Sequence, residues 1–191
     1  MDSSLPIDTI GLLPPSASRD ADVQAVVEAA RRGDPAAFDE LYRRYRRLVH
    51  GILLTKVRPA DAEDVLQDVF LQAWRQLTTL RASAAFGGWL AAMTRHRAID
   101  HLRSRPAQEP LVEIGGPSTA DTDVCAAQAL DAIRSLPEAY REPLMLRLVE
   151  GLTGPEIAEQ TGMTPGSVRV NLCRGMKLLR ARLAHGDAHV G

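Results

Sequence analysis

The chain has 191 residues, a charged fraction of 25%, an apolar fraction of 45% and a formal net charge of −1. Those values fit a globular protein of one ordinary domain or two small ones. They exclude a chain that is basic throughout, so any nucleic-acid role must rest on local charge separation. Aromatic residues are few, and the abundance of Ala, Leu and Arg favours helix. No run of about 18 apolar residues exists, so no membrane insertion is expected. A basic region followed by an apolar core is missing from the start, so no secretory signal is expected either. Cys125 and Cys173 stand far apart without a His/Cys ligand set, which argues against a zinc site and a structural disulfide. Free thiols suit a cytoplasmic location.

Residues 1–21 read as a disordered tail, with Pro6, Gly11, Pro14 and Pro15 among serines. Ile7, Ile10, Leu12 and Leu13 leave open a short docking segment there. Residues 22–105 carry a helical pattern. Val23, Val26, Val27 and Ala30 recur at helical spacing. Gly33-Asp34-Pro35 ends that helix and opens the next, with Asp34 as N-cap and Pro35 at the first helical position. The second helix puts Phe38, Leu41, Tyr42, Tyr45, Leu48, Val49 and Ile52 on one side and Arg43, Arg44, Arg46 and Arg47 on the other. A break at Pro59-Ala60 leads to a third helix, capped by Asp61 and running to about Leu77. Its apolar face is Val65, Leu66, Val69, Phe70, Ala73, Trp74 and Leu77. The fourth helix runs from about Phe86 to Arg103, with Trp89, Leu90, Met93, Ile99 and Leu102 inward. Residues 106–123 hold Pro106, Pro110, Gly115, Gly116 and Pro117 among small polar residues, the composition of a flexible linker. Helical pattern resumes over 124–184, and 185–191 is a frayed tail. The expected fold is all-α: two small helical domains on a tether, four helices in the first and a helix-turn-helix in the second.

The helix-turn-helix rests on local chemistry. Thr153-Gly154-Pro155-Glu156 is a capping box, with a Thr hydroxyl at the N-cap and a Glu three residues on. A short helix over 156–160 ends in the turn Thr161-Gly162-Met163, where Gly supplies a left-handed residue. Thr164 caps the next helix and Pro165 begins it. Ile157, Ala158, Val168 and Leu172 would pack the pair together. From Pro165 to Ala184 the second helix carries Arg169, Arg174, Lys177, Arg180 and Arg182 and no acid, while Glu138, Glu142, Glu150, Glu156 and Glu159 precede it. The basic side should face phosphates, with Ser167, Arg169, Val170, Asn171 and Arg174 placed to reach base edges in a major groove and Lys177 beside them. Gly175 should cost about 1 kcal/mol relative to Ala unless the backbone approaches a neighbour there.

The first domain separates its charges as well. The third helix opens with Asp61, Glu63, Asp64 and Asp68. The helix dipole accounts for the first two, but Asp68 lies past the first turn beside Gln67 and suits a basic protein partner. Arg95, His96, Arg97, His101, Arg103 and Arg105 crowd the fourth helix, with Asp100 its sole acid. Phe86 and Trp89 stand at its start. Basic residues beside aromatics are what a single-strand binder uses, although Trp89 can equally serve the core.

The segment Asp61-Ala62-Glu63-Asp64-Val65-Leu66-Gln67-Asp68-Val69-Phe70, then Ala73-Trp74, resembles region 2 of the extracytoplasmic-function class of bacterial sigma factors. Phe86-Gly87-Gly88-Trp89-Leu90 and Arg97-Ala98-Ile99-Asp100-His101-Leu102-Arg103 resemble it too. Leu136-Pro137, Glu150-Gly151-Leu152-Thr153, Glu156-Ile157-Ala158-Glu159 and Gly166-Ser167-Val168-Arg169 are similar to region 4. The resemblance covers about Asp22 to Leu183. It implies a factor that binds the β′ and β subunits of RNA polymerase core and directs it to promoters, without cofactor, metal or catalytic residues. Asp61, Asp64, Gln67 and Asp68 would lie on the face docked against β′. Trp89, Met93, Arg95, His96, Arg97, Asp100, His101 and Arg103 would recognise and open the −10 element, with a flipped base near Met93, Arg95 and His96. Ser167, Arg169, Val170, Asn171, Arg174 and Lys177 would read the −35 element. An anti-sigma factor is the expected inhibitory partner. His96, Asn171 and Met176 depart from the usual pattern, which points to altered promoter preference.

Two promoter elements two turns of duplex apart are about 70 Å from each other. The segment Pro106–Thr122 stretches at most to roughly 55–60 Å, so bridging needs an extended linker plus the widths of the domains. Two alternatives stay open: a helix-turn-helix regulator that acts without polymerase, and a helical protein-binding adaptor. The adaptor leaves the acid-free second helix unexplained. An enzyme fits least, since His50, His96, His101, His185 and His189 share no ligand spacing and neither a nucleophile motif nor a phosphate loop is present.

Overall fold

A computed structural model describes residues 17–104 and 120–186. The expectations for 1–16, 105–119 and 187–191 lie outside the described residues. Eight α-helices and two single 3₁₀ turns make up the described part, and no strand occurs in it: α1 (Ala17–Arg31), α2 (Pro35–Leu54), α3 (Pro59–Gln76), α4 (Phe86–Ser104), α5 (Ala120–Arg134), α6 (Glu138–Leu148), α7 (Gly154–Thr161) and α8 (Pro165–Gly186). The all-α reading holds, with α1–α4 in one domain and α5–α8 in the other. α1 and α5 start several residues before the expected boundaries. Neither Gly nor Pro occurs in those first residues, so nothing interrupts helix propagation.

Local signals act where they were expected in most places. The Asp34 carboxylate accepts from the amides of Ala36 at 2.9 Å and Ala37 at 3.3 Å, satisfying orphan donors of α2. Thr153 and Glu156 form the reciprocal capping box of α7. Gly162 closes that helix at φ +74, a backbone state that other residues enter at a cost. The Thr164 hydroxyl accepts from the Ser167 amide at 3.1 Å at the start of α8. Asp61 is the exception. α3 begins two residues earlier, at Pro59, with Arg58 in the N-cap position and no side-chain cap. Proline is accommodated at N1 because its missing donor has no partner there. Asp61 instead accepts from Arg58 at 2.9 and 3.0 Å.

Leu41, Leu48, Ile52, Leu66 and Leu90 are fully buried in the first domain, and Ile133, Leu136, Leu144 and Met145 in the second. Together the buried apolar residues form one continuous cluster. The domains therefore lie packed on each other, α6 against α2 and α7 against α4. Two glycines permit this approach. A Cβ on Gly51 would stand 2.7 Å from Leu146 Cδ2, and one on Gly87 would stand 2.6 Å from the Gln160 carbonyl oxygen. Several residues expected inward are less enclosed. Leu102 is 50% exposed and Trp74 38%, and Ile99 is half-buried. His101 already sits beside Asp61 in the first turn of α3, so the last residues of α4 overhang their partner. Trp74 lies near the end of α3 and has the Phe38 ring on one side, at 4.8 Å between centroids.

Gly175 proves to be a packing residue. A Cβ there would stand 2.9 Å from Leu144 Cδ1 and 3.0 Å from Tyr140 Cβ. The helix-propensity penalty is accepted so that α8 can lie close on α6. Gly175→Ala should therefore lower stability by about 1–2 kcal/mol in chemical denaturation, because overpacking outweighs the gain in propensity. A stabilised variant would contradict the close approach.

Candidate nucleic-acid and polymerase interface

Three surfaces gather the residues singled out by the sequence. The first is the outward side of α8. Val168, Leu172, Gly175 and Leu179 face inward at helical spacing, which leaves Val170, Arg174 and Lys177 opposite them. Ser167, Arg169, Val170, Arg174 and Lys177 are exposed and Asn171 is half-buried at the edge. α7 packs across α8 through Ile157, Ala158 and Val168, all buried. All six residues expected to read duplex thus lie along the open side of one helix, though Arg169 and Asn171 flank the stripe.

The second surface is the solvent side of α3. Asp64, Gln67 and Asp68 are exposed, while Asp61 is half-buried between Arg58 and His101. Sequence reasoning missed what lies next to it. Leu71 is 54% exposed, and with Gln67, Trp74, Phe38, Tyr42 and Pro35 it lines an open apolar groove of about 420 Å³ between α2 and α3. Rings floor the groove: Tyr42 and Phe70 lie 4.6 Å apart and Phe38 and Phe70 6.3 Å. The signal was present, since Leu71 is a large apolar residue off the inward stripe of α3.

The third surface is α4, and here the structure divides the expected set. His96, Asp100 and Arg103 are exposed. Trp89 is half-buried beside Phe86, with ring centroids 5.8 Å apart. Met93 is only 8% exposed, so it belongs to the core of this conformation and no base can reach it without movement. Arg97 pairs with Asp68 at 2.9 Å, and His101 Nε2 lies 3.5 Å from Asp61. Two basic residues of α4 are thus held by two acids of α3. Arg95 reaches the other domain, donating from Nε at 2.9 Å and Nη2 at 2.7 Å to the two oxygens of Glu142. That bond holds the Arg95 pKa above its usual value, against the effect of burial. No three His, Cys, Asp or Glu residues among the described ones stand close enough to share a metal ion. None of the described helices is long and apolar enough to cross a membrane.

Other polar ties join the domains. Lys56 pairs with Glu138 at 2.7 Å, which lowers the Glu138 pKa. The Arg134 guanidinium donates to the Leu54 and Val57 carbonyls at 2.8 and 2.7 Å, and burial lowers its pKa. His50 Nδ1 lies 2.6 Å from Glu150 Oε1.

A helix-turn-helix with an open basic helix, joined to a helical domain with a separate acidic and apolar face, defines a DNA-binding protein equipped to dock on a second macromolecule. The comparisons specify which. Residues 41–107 match the family described as Sigma-70 region 2, and residues 126–179 match Sigma-70, region 4. The ECF RNA polymerase sigma-E factor of Haemophilus influenzae is 30% identical over 178 residues, covering 84% of this chain and 94% of its own. RNA polymerase sigma factor CarQ of Myxococcus xanthus is 33% identical over 172 residues, covering 86% and 99%. Among solved structures, CnrH in complex with the cytosolic domain of CnrY shares the fold, with a TM-score of 0.61 at 23% identity over 85% of this chain and 97% of that one. The chain belongs to the extracytoplasmic-function class of the sigma-70 family, the RNA polymerase sigma factors that recognise promoters and start transcription.

The His50–Glu150 pair sets a pH dependence. The bond to Glu150 is the largest influence and raises the His50 pKa above 6.5; burial and Arg46 oppose it, and Glu63 supports it. A raised folded pKa means that the stabilisation is fully present below pH 6.5 and is lost as pH rises through the folded value. The destabilisation caused by His50→Gln should therefore be largest at acid pH and shrink with rising pH. Thermal unfolding of both proteins from about pH 5 to 9 checks this.

Proposed function

We propose that the three surfaces divide the work of promoter recognition. α8 reads the −35 duplex through Ser167, Arg169, Val170, Asn171, Arg174 and Lys177. α4 recognises and opens the −10 element through Trp89, Arg95, His96, Arg97, Asp100, His101 and Arg103, with Met93 uncovered as the strands part. Asp64, Gln67 and Asp68, with Asp61 at their edge, dock on the β′ subunit of core polymerase. The neighbouring groove at Leu71 and Trp74 extends that face with apolar contact. Polar residues around an aromatic anchor are the anatomy of a strong protein interface. The observation that carries this reading is the segregation of charge: an acid-free helix open to solvent in one domain, and an acidic face beside an apolar groove in the other.

Recognition would work by familiar chemistry. Arginine forks match guanine edges and phosphates, and Asn171 can bond an adenine bidentately. No residue is given a catalytic role, since bond formation belongs to the polymerase. Action in the cytoplasm, β-subunit contact and restraint by an anti-sigma factor are carried over from the family resemblance. CnrH, itself solved with the cytosolic domain of CnrY, is an example of a chain of this fold held by a second protein.

Two experiments test the assignment. Trp74→Ala combined with Asp64→Lys should weaken binding to purified core polymerase about tenfold or more, as loss of an interface anchor does; unchanged affinity rejects that face. Arg169→Ala and Arg174→Ala should each lower transcription from −35-dependent promoters roughly 5- to 100-fold, the span of about 1–3 kcal/mol per base contact. Binding to core must stay intact for that outcome to bear on DNA reading, and an unaltered promoter footprint would count against α8.

A further inference from the structure

We propose that Val170, at the outermost point of α8, selects a thymine in the −35 element through the C5-methyl group of that base. The proposal rests on the reading of α8 as the helix that reads the −35 duplex.

Position is the first argument. Val168 and Leu179 are buried, and Leu172 packs against the same core. Gly175 lies against Leu144 and Tyr140 on that side. At about 100° per residue, the direction opposite these four passes through Val170, which is 44% exposed. Gly166 and Cys173 stand on one side of it, and Ser167 and Arg174 on the other. Of these neighbours one turn away, only Arg174 is long. A Cβ on Gly166 would meet nothing within 4 Å. A base-pair edge can therefore come into contact with the valine. Val170 is also the sixth residue of α8, and the first turns of the second helix are the part of a helix-turn-helix that touches base edges.

Charge is the second argument. Arg43, Arg44, Arg46, Arg95 and Arg97 of α2 and α4 are each held by a carboxylate. Arg169, Arg174 and Lys177 make no ion pair with another described residue. Phosphates can take these cations without displacing an acid. An apolar side chain among them adds nothing to phosphate binding. A lone exposed valine calls for no account on an ordinary surface, but one at the crest of a helix seated in a groove is buried by the DNA.

Chemistry is the third argument. The isopropyl group neither donates nor accepts a hydrogen bond. The major-groove edges of the bases offer donors, acceptors and one apolar group, the C5-methyl of thymine. Against the amino group of cytosine, Val170 would cover a donor and return no bond. Against the methyl it buries apolar surface on both partners. Arg174 lies one turn further, about 6 Å along the helix axis, and its fork matches a guanine within roughly two base-pair steps of about 3.4 Å each.

The test uses the full chain with core polymerase. A promoter library randomised over the −35 element, read by transcript abundance, gives the base preferences of the parent and of Val170→Ala. The parent should prefer thymine at one position where Val170→Ala no longer discriminates. Promoter duplexes changed at that position alone then isolate the methyl, with holoenzyme binding followed by fluorescence anisotropy. Exchanging thymine for uracil removes only the methyl and should weaken parent binding about fourfold, the effect of returning one methyl group to water. Exchanging cytosine for 5-methylcytosine supplies the methyl and should strengthen binding by a similar factor. Both differences should vanish in Val170→Ala; if that variant does not fold, as judged by its thermal melt, Val170→Ser takes its place. A library for Val170→Ala identical to the parent's, equal binding of thymine and uracil duplexes by the parent, or a methyl effect that survives loss of the valine overturns the proposal. Failure of the α8 reading looks different: the parent would show no preference anywhere in the randomised element, and Arg174→Ala would leave the transcript distribution unchanged.

Discussion

The contact of α6 and α7 with α2 and α4 governs what the rest of the molecule can do. It is made where two helices have no side chain to keep a neighbour away, Gly51 of α2 against Leu146 of α6 and Gly87 of α4 against Gln160 of α7. Around those bare points three pairs of opposite charge cross between the domains: His50 with Glu150, Lys56 with Glu138 and Arg95 with Glu142. A chain with a net charge of −1 keeps its last helix, α8, free of acids while the helices before it, taken together, carry both signs. The absence of acids from α8 leaves one face that can meet phosphates, and Glu142 holds Arg95 of α4.

A similar opposition appears inside the first domain. α3 and α4 run antiparallel, with Asp68 against Arg97 and Asp61 against His101. The acids proposed to meet polymerase are thus the ones that hold bases proposed to meet DNA. The Asp68–Arg97 pair is exposed, and exposed ion pairs contribute about 0–1 kcal/mol. Ties of that strength position side chains without locking them. On the proposed assignment, a basic surface that engages Asp68 would release Arg97 in the same event, coupling docking to readiness for DNA through shared side chains.

Much of this was legible in the chain before any coordinates, and the legible part has a common character. Asp34, Thr153, Glu156, Gly162 and Thr164 act on backbone groups within three or four residues of themselves, so their roles follow from order alone. Asp61 misled because two rules competed at one place: an acid that caps and a proline that starts a helix. The proline prevailed, and a long-range partner, His101, took the acid's remaining bonding capacity. Leu102 and Trp74 misled for another reason. Periodicity names the face of a helix but not how far the neighbouring helix extends along it. Gly175, Gly51 and Gly87 could be seen as costly in the sequence, but what they make room for lies in other helices. Leu71 was visible as an apolar residue off its helix's inward stripe, and only packing showed what it and Glu142 border.

The contact between the domains is of two kinds. Its charged ties are partly exposed and screened by salt, while the buried apolar residues run continuously from one domain into the other. The attraction therefore comes from burial, which has no direction of its own. Paired charges around two glycine seats supply the direction: they fix which residues of one domain face which of the other.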